Sequence, residues 1–138
     1  MPVDNVIGFE RCVCYHPDLV NLFGCTIGEG TKIGSFVEIG DGVKIGSGCK
    51  IQSFVYIPHG VEIGDDVFIG PQVCFMNVMK PDLSKKPVFL KTIVGDEAVI
   101  GAGVKILPGV VIGKKSFIAA GAIVSGDVEQ NGFWGRDR

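Results

Sequence analysis

Two polar side chains stand where an otherwise apolar repeat leaves room for chemistry. Asn77 opens the polar interval between Phe75 and Val94, and His59 is the one histidine inside the repeated part of the chain, in the segment Ile57-Pro58-His59-Gly60. A carboxamide carries an acceptor and two donors on one plane, so Asn77 suits holding a polar group in a single orientation. An imidazole titrates near neutrality and can take up a proton and return it. Each has a plainer role beside this one: Asn often caps a turn, and a histidine at a corner is often only solvated. His16, next to Pro17 in the irregular N-terminal segment, is read as structural. With two histidines in all, the chain is short of a three-histidine zinc site. Its five cysteines are an odd number without paired metal spacing, which points to free thiols in a reducing compartment.

These side chains are set on a repeat. A hydrophobic residue recurs every six positions, at Ile27, Ile33, Ile39, Ile45, Ile51, Ile57, Ile63, Ile69 and Phe75, and again at Val94, Ile100, Ile106, Ile112, Ile118 and Val124. Four residues after each comes a small or β-branched one, such as Thr31, Val37, Cys49, Val104 or Ala122. Both offsets are even, which keeps side chains on one face of a strand; on a helix the same six-residue step would turn each aliphatic by roughly 240°. Gly follows the aliphatic in most units, where the expected reason is a corner with a backbone angle that other residues resist. Short strands with a corner in every unit predict an all-β solenoid in a single domain. Fifteen units at three per coil give about five coils, a rod of roughly 24 Å.

Residues 1–23 match the repeat poorly and are expected to cap the first coil, because solenoids need atypical end units. Residues 24–128 form the coils and 129–138 a tail. The step from Phe75 to Val94 is 19 residues, not a multiple of six, so residues 76–92 hold an inserted loop, rich in Lys and broken by Pro81 and Pro87. Insertions on solenoids gather on one face, often the binding face. Outward aromatics such as Phe36, Phe54, Phe68 and Phe117 would be covered by association of copies.

Composition removes other classes. No apolar run approaches the roughly 18 residues of a membrane-spanning helix, and the start MPVDNVIGFER carries early acids with no apolar stretch, unlike a signal peptide. A net charge of −2 without a basic run argues against nucleic acid as a partner. A cytoplasmic protein is expected.

The unit aliphatic-Gly-x-x-small-x, over about residues 20–128, resembles the hexapeptide-repeat acyltransferases. That resemblance implies a left-handed parallel β-helix assembled as a homotrimer. Phe75-Met76-Asn77-Val78-Met79-Lys80-Pro81 is similar to the F-T-N-V-x-N-P-R segment of N-acetyltransferases that act on nucleotide-linked 3-amino sugars. VFIGPQV before it, KTIVGDEAVIGAGVKILPGVVIG after it and the closing FIAAGAIVSGDV are similar too. The chain departs from that pattern at Met76, where Thr is usual, at Asp82, where Arg is usual, and in its tail QNGFWGRDR, which lacks the G-x-P-A-R ending.

The resemblance implies acetyl transfer from acetyl-coenzyme A to the amino group of a nucleotide-linked sugar, with acetyl-coenzyme A as co-substrate and no metal. Asn77 would hold the amine, and His59 would be a base or a sugar ligand. Ala102, Gly103, Ala119, Ala120 and Gly121 would let the pantetheine arm approach the backbone between neighbouring subunits, with Lys114, Lys115 and Arg136 toward its phosphates. Ser53, Phe54 and Tyr56 would meet the acceptor nucleotide. Small residues in a solenoid are packing features by default, and lysines at a corner are by default solvated. Three other readings stay open: a sugar O-acetyltransferase in which His59 is the indispensable base, a carbonic anhydrase on the same helix, and a scaffold without catalysis.

Overall fold

Each aliphatic of the hexad ends a strand of two or three residues, and within the uninterrupted hexads each strand pairs in parallel with the one 18 residues away, as Glu38–Ile39 does with Tyr56–Ile57. Three hexads therefore close one coil. In the computed structural model, which describes residues 2–135, the chain winds as a left-handed parallel β-helix with three flat faces. The first face stacks seven strands, from Val3–Asp4 to Ile123–Val124. The second stacks five, from Thr26–Ile27 to Val111–Ile112, and bridges at Ile7 and Val128 extend it at both ends. The third stacks seven, from Val13–Cys14 to Phe133–Trp134.

The prism is longer than the five coils that the hexads alone predict. Residues 3–23, expected as a cap, and 128–134, mostly expected as tail, are also wound against their neighbours, without hexad spacing. Two 3-10 turns, Phe9–Arg11 and Pro17–Leu19, take up the irregular lengths in the first coil. At the far end Trp134 is 8% exposed and donates its Nε1–H to the Ile123 carbonyl at 3.0 Å, closing the core.

Inside, both ladders of the repeat are buried. Ile33, Ile39, Ile57, Ile69, Ile100, Ile106 and Ile118 have no solvent exposure, and Val43, Cys49, Val73, Val104 and Ala122 fill the smaller positions opposite. Each large aliphatic stabilises the fold by about 1.5–3 kcal/mol. The polar intruders are paired. Thr31 donates its hydroxyl to the Gly46 carbonyl at 2.7 Å and accepts the Cys49 N–H at 3.1 Å, and Ser116 donates to the Gly113 carbonyl at 2.7 Å.

Glycine after the aliphatic is needed for a different reason from the one expected. Those glycines do not have positive φ; a Cβ on Gly101 would stand 2.6 Å from the Ala120 nitrogen, and one on Gly113 2.5 Å from the Gln130 nitrogen. Successive coils approach too closely for a side chain there. The left-handed backbone comes two residues later, and it recurs down every corner: Gly30, Phe36, Gly42, Gly48, Phe54, Gly60, Asp66 and Gln72 before the insertion, then Glu97, Gly103, Gly109, Lys115 and Gly121.

The inserted loop leaves the corner between the first and second faces. Val61 pairs with Thr92, 31 residues on, where the regular step is 18, so 13 residues are extra. The register is intact on both sides. Among the described residues no helix is long and apolar enough to cross a membrane.

Candidate functional site

The corner that carries the loop also carries the two candidate catalytic side chains. Asp41, His59 and Asn77 each stand two residues after a core residue, 18 residues apart, so they stack in three successive coils. Asn77 donates Nδ2–H to the His59 carbonyl at 2.9 Å. The Nδ1 of His59 lies 2.7 Å from the Asp41 carbonyl. A carbonyl oxygen only accepts, so Nδ1 carries a proton, and in the neutral ring Nε2 is then the acceptor. Neither the His59 Nε2 nor the Asn77 Oδ1 has a protein partner among the described residues.

The loop is fastened at its root around this ladder. Leu90 N–H reaches the Asn77 carbonyl at 3.0 Å, and Thr92 N–H the Gly60 carbonyl at 2.9 Å. Gly60 sits at φ 99°, an angle that favours glycine, and a Cβ there would stand a tight 3.2 Å from the Leu90 carbonyl oxygen. Phe89 returns from the loop to meet the His59 ring edge-on, with centroids 5.1 Å apart. A hollow of about 270 Å³ opens beside His59, walled by Glu62, Phe89 and Lys91. Lys91 and Glu62 close one side with a 3.0 Å ion pair.

The expected binding residues gather on another edge, between the third and first faces. Ser53 and Phe54 stand there one coil above Ser35 and Phe36, and Ala102, Gly103, Ala120 and Gly121 continue the same edge beyond the loop. Phe36 and Phe54 stack at 5.0 Å with an interplanar angle of 21°, both exposed and both at positive φ. Phe36, expected only as an outward residue, is thus the partner of Phe54, and their 18-residue spacing is the signal that finds it. Tyr56 lies on the first face, between this edge and His59; burial, then the Glu38 carboxylate and Cys74, raise its phenol above the ordinary range. Lys114 and Lys115 stand on the remaining edge, apart from the small residues they were grouped with. Arg136 lies outside the described residues. One chain therefore does not bring Asn77 and His59 onto the edge of Ala102, Gly103, Ala120 and Gly121.

The sequence matches the bacterial transferase hexapeptide (six repeats) profile over residues 24–58, 42–75 and 91–126, which together span well over half of the chain. The chain belongs to the bacterial transferase hexapeptide family. A galactoside O-acetyltransferase of Lactococcus lactis is 40% identical over 77 residues, 48% of this chain and 37% of that protein. Among solved structures, PerB from Caulobacter crescentus, in complex with CoA and GDP-perosamine, superposes with a TM-score of 0.69 at 21% identity, over 95% of this chain and 53% of that one. A variant of the N-acyltransferase AntD from Bacillus cereus, in complex with dTDP and coenzyme A, gives 0.70 at 23% identity, over 96% and 76%. At those identities the structural likeness speaks for the shared hexapeptide fold. This hexapeptide chain spans a little over a third of the length of the curated relatives it matches.

Proposed function

We propose that this member of the hexapeptide family is an acetyl-coenzyme A-dependent N-acetyltransferase acting on the amino group of a nucleotide-linked sugar, in the cytoplasm and as a homotrimer. The observation that carries the reading is the ladder at the root of the loop, where His59 is held with Nε2 as an acceptor and Asn77 keeps Oδ1 unengaged. In the proposed step Asn77 Oδ1 accepts one N–H of the amine and turns its lone pair toward the thioester carbonyl. As the carbon–nitrogen bond forms, His59 Nε2 takes the proton the nitrogen sheds. The carbon–sulfur bond breaks, and the departing sulfur recovers that proton from His59. A thioester is already activated, so orientation supplies much of the acceleration.

The separation of the two edges supports the proposed assembly. The loop corner of one copy needs the small-residue edge of another to complete the site. Leu83, 105% exposed, and Val88, 75% exposed, leave the loop with apolar surface that a second copy would cover. Five unpaired thiols agree with a reducing compartment.

The test is release of free coenzyme A from acetyl-coenzyme A with UDP-, dTDP- and GDP-linked amino sugars, with the product's amide read by mass spectrometry. Turnover only with hydroxyl sugars sinks the N-acetyl assignment. That second reading, O-acetylation, is favoured by the identity to the galactoside enzyme. A hydroxyl needs a base far more than an amine does. O-transfer therefore predicts that His59→Ala abolishes turnover, and N-transfer that a measurable rate survives.

A further inference from the structure

A second concavity, whose two lysines have no role so far, lies on the third face, away from the loop corner. A cleft of about 370 Å³ is lined by Tyr15, His16, Lys32, Lys50, Ser35 and Ser53, among others, and no carboxylate lines it. Lys32 and Lys50 are directly paired across adjacent strands, both outward and exposed. Like charges opposite one another destabilise a sheet. Neither ammonium has an ion pair or hydrogen bond in compensation among the described residues. In a chain of net charge −2, two uncompensated cations, an imidazole and hydroxyls converge on one concavity.

We infer that this cleft is a diphosphate subsite, in which Lys32 and Lys50, about 4.8 Å apart along the stack, each meet one of two adjacent phosphates. Ser35 and Ser53 form its rim at the edge where Phe36 and Phe54 stack, so a ring attached to the diphosphate has an aromatic surface beside it. The inference rests on the proposed use of nucleotide-linked substrates and adds where their charge is held. A nucleotide-linked sugar and coenzyme A both carry a diphosphate, and the experiment separates them.

Isothermal titration of the full chain with inorganic pyrophosphate, UDP, dTDP, GDP and coenzyme A, compared with Lys32→Gln/Lys50→Gln, reads the site without turnover. The expected result is a loss of at least tenfold in affinity for pyrophosphate and for one class of diphosphate, restored in large part by Lys32→Arg/Lys50→Arg. Loss confined to the nucleoside diphosphates assigns the cleft to the acceptor, and loss confined to coenzyme A assigns it to the donor; either bears out a diphosphate site. Equal affinities in the parent and the glutamine variant, or no diphosphate binding by the parent, overturn it. Circular dichroism melting checks that the glutamine variant is folded. A chain that binds through the two lysines but transfers no acetyl group refutes the proposed reaction and leaves the cleft standing. A chain that acetylates and binds nucleotides equally well without the lysines refutes the cleft alone.

Discussion

Replacing Asn77 by alanine separates the two things this side chain is proposed to do. Its Nδ2–H bond to the His59 carbonyl, 2.9 Å long and partly exposed, contributes about 0.5–1.5 kcal/mol. For a domain of 138 residues that corresponds to a fall in Tm of about 2–6 °C. The loop root keeps its backbone ties from Leu90 to Asn77 and from Thr92 to Gly60, so nothing larger is expected of the fold. Orientation of an amine through Oδ1 is a separate contribution. Loss of one preorganised polar contact in a transition state removes about 2.7–4 kcal/mol, or roughly 100- to 1000-fold in rate. The expected outcome is a small drop in scanning calorimetry beside a loss of two to three orders of magnitude in kcat/KM, read as thiol release. A purely structural Asn77 gives the first change without the second, so a variant with the lower Tm and kcat/KM within threefold of the parent refutes the reasoning. Asn77→Asp adds a check on geometry. It keeps an acceptor but turns a carboxylate oxygen toward the His59 carbonyl, so it should melt below the alanine variant.

Thr31→Val leaves the Gly46 carbonyl and the Cys49 N–H without their partner inside the core, and a loss of about 1–3 kcal/mol in urea unfolding is expected. Gly101→Ala drives a Cβ against the Ala120 backbone and should cost about 1–3 kcal/mol or more by overpacking; Gly103→Ala, in open space at φ 71°, should cost about 1–2 kcal/mol through backbone conformation alone. The two variants separate in a crystal, where only the first should spread the coils. Burial pushes the Cys25 thiol up to about 11, so the unfolded chain ionises first. Stability should be level below about pH 9 and then fall by about 1.4 kcal/mol per pH unit for this thiol until the folded state ionises too; Cys25→Ala should flatten that part of the Tm profile. Phe36→Gly/Phe54→Gly should leave Tm within a few degrees of the parent while lowering nucleoside diphosphate affinity about tenfold, by calorimetry.

The core was legible because a solenoid repeats one environment. Ile33 and Ile100 face the same interior, so the chain shows the same residue class every six positions, and the buried ladders follow the hexads from Ile27 to Val124. The ends were less legible because each meets solvent on one side. Val13–Cys14 and Phe133–Trp134 pair in register, but irregular turns set their spacing and periodicity does not reveal them. The glycine after each aliphatic was visible, but its cause was not. A close approach between residues one coil apart leaves no local trace. The 18-residue step of one coil would have united Asp41, His59 and Asn77, which a reading by single hexads leaves scattered. Lys115 could not be assigned to an edge by type alone, because any corner solvates a lysine; only the count of hexads per coil separates it from Ala120.

The two phenylalanines show where corner residues escape that logic. The left-handed position at each corner suits Gly, and Asp66 tolerates it because a short polar side chain can bond locally. Phenylalanine has no such compensation, and holding Phe36 and Phe54 there costs about 1–2 kcal/mol each. Their stack at 5.0 Å returns about 0.5–1.5 kcal/mol for the pair, and the buried part of each ring, a little under half, returns about 1–2 kcal/mol more per residue, while the rest stays exposed. Burial and stacking within the prism thus offset about as much as the strain costs, and they leave more than half of each ring open to solvent. The exposed faces of the rings are available to a ligand, and the edge they occupy joins the lysine cleft on one side to the small residues of the later coils on the other. That continuity agrees with the proposed binding edge, with the rings at its centre, which in the proposed trimer meets the Asn77 corner of a second copy.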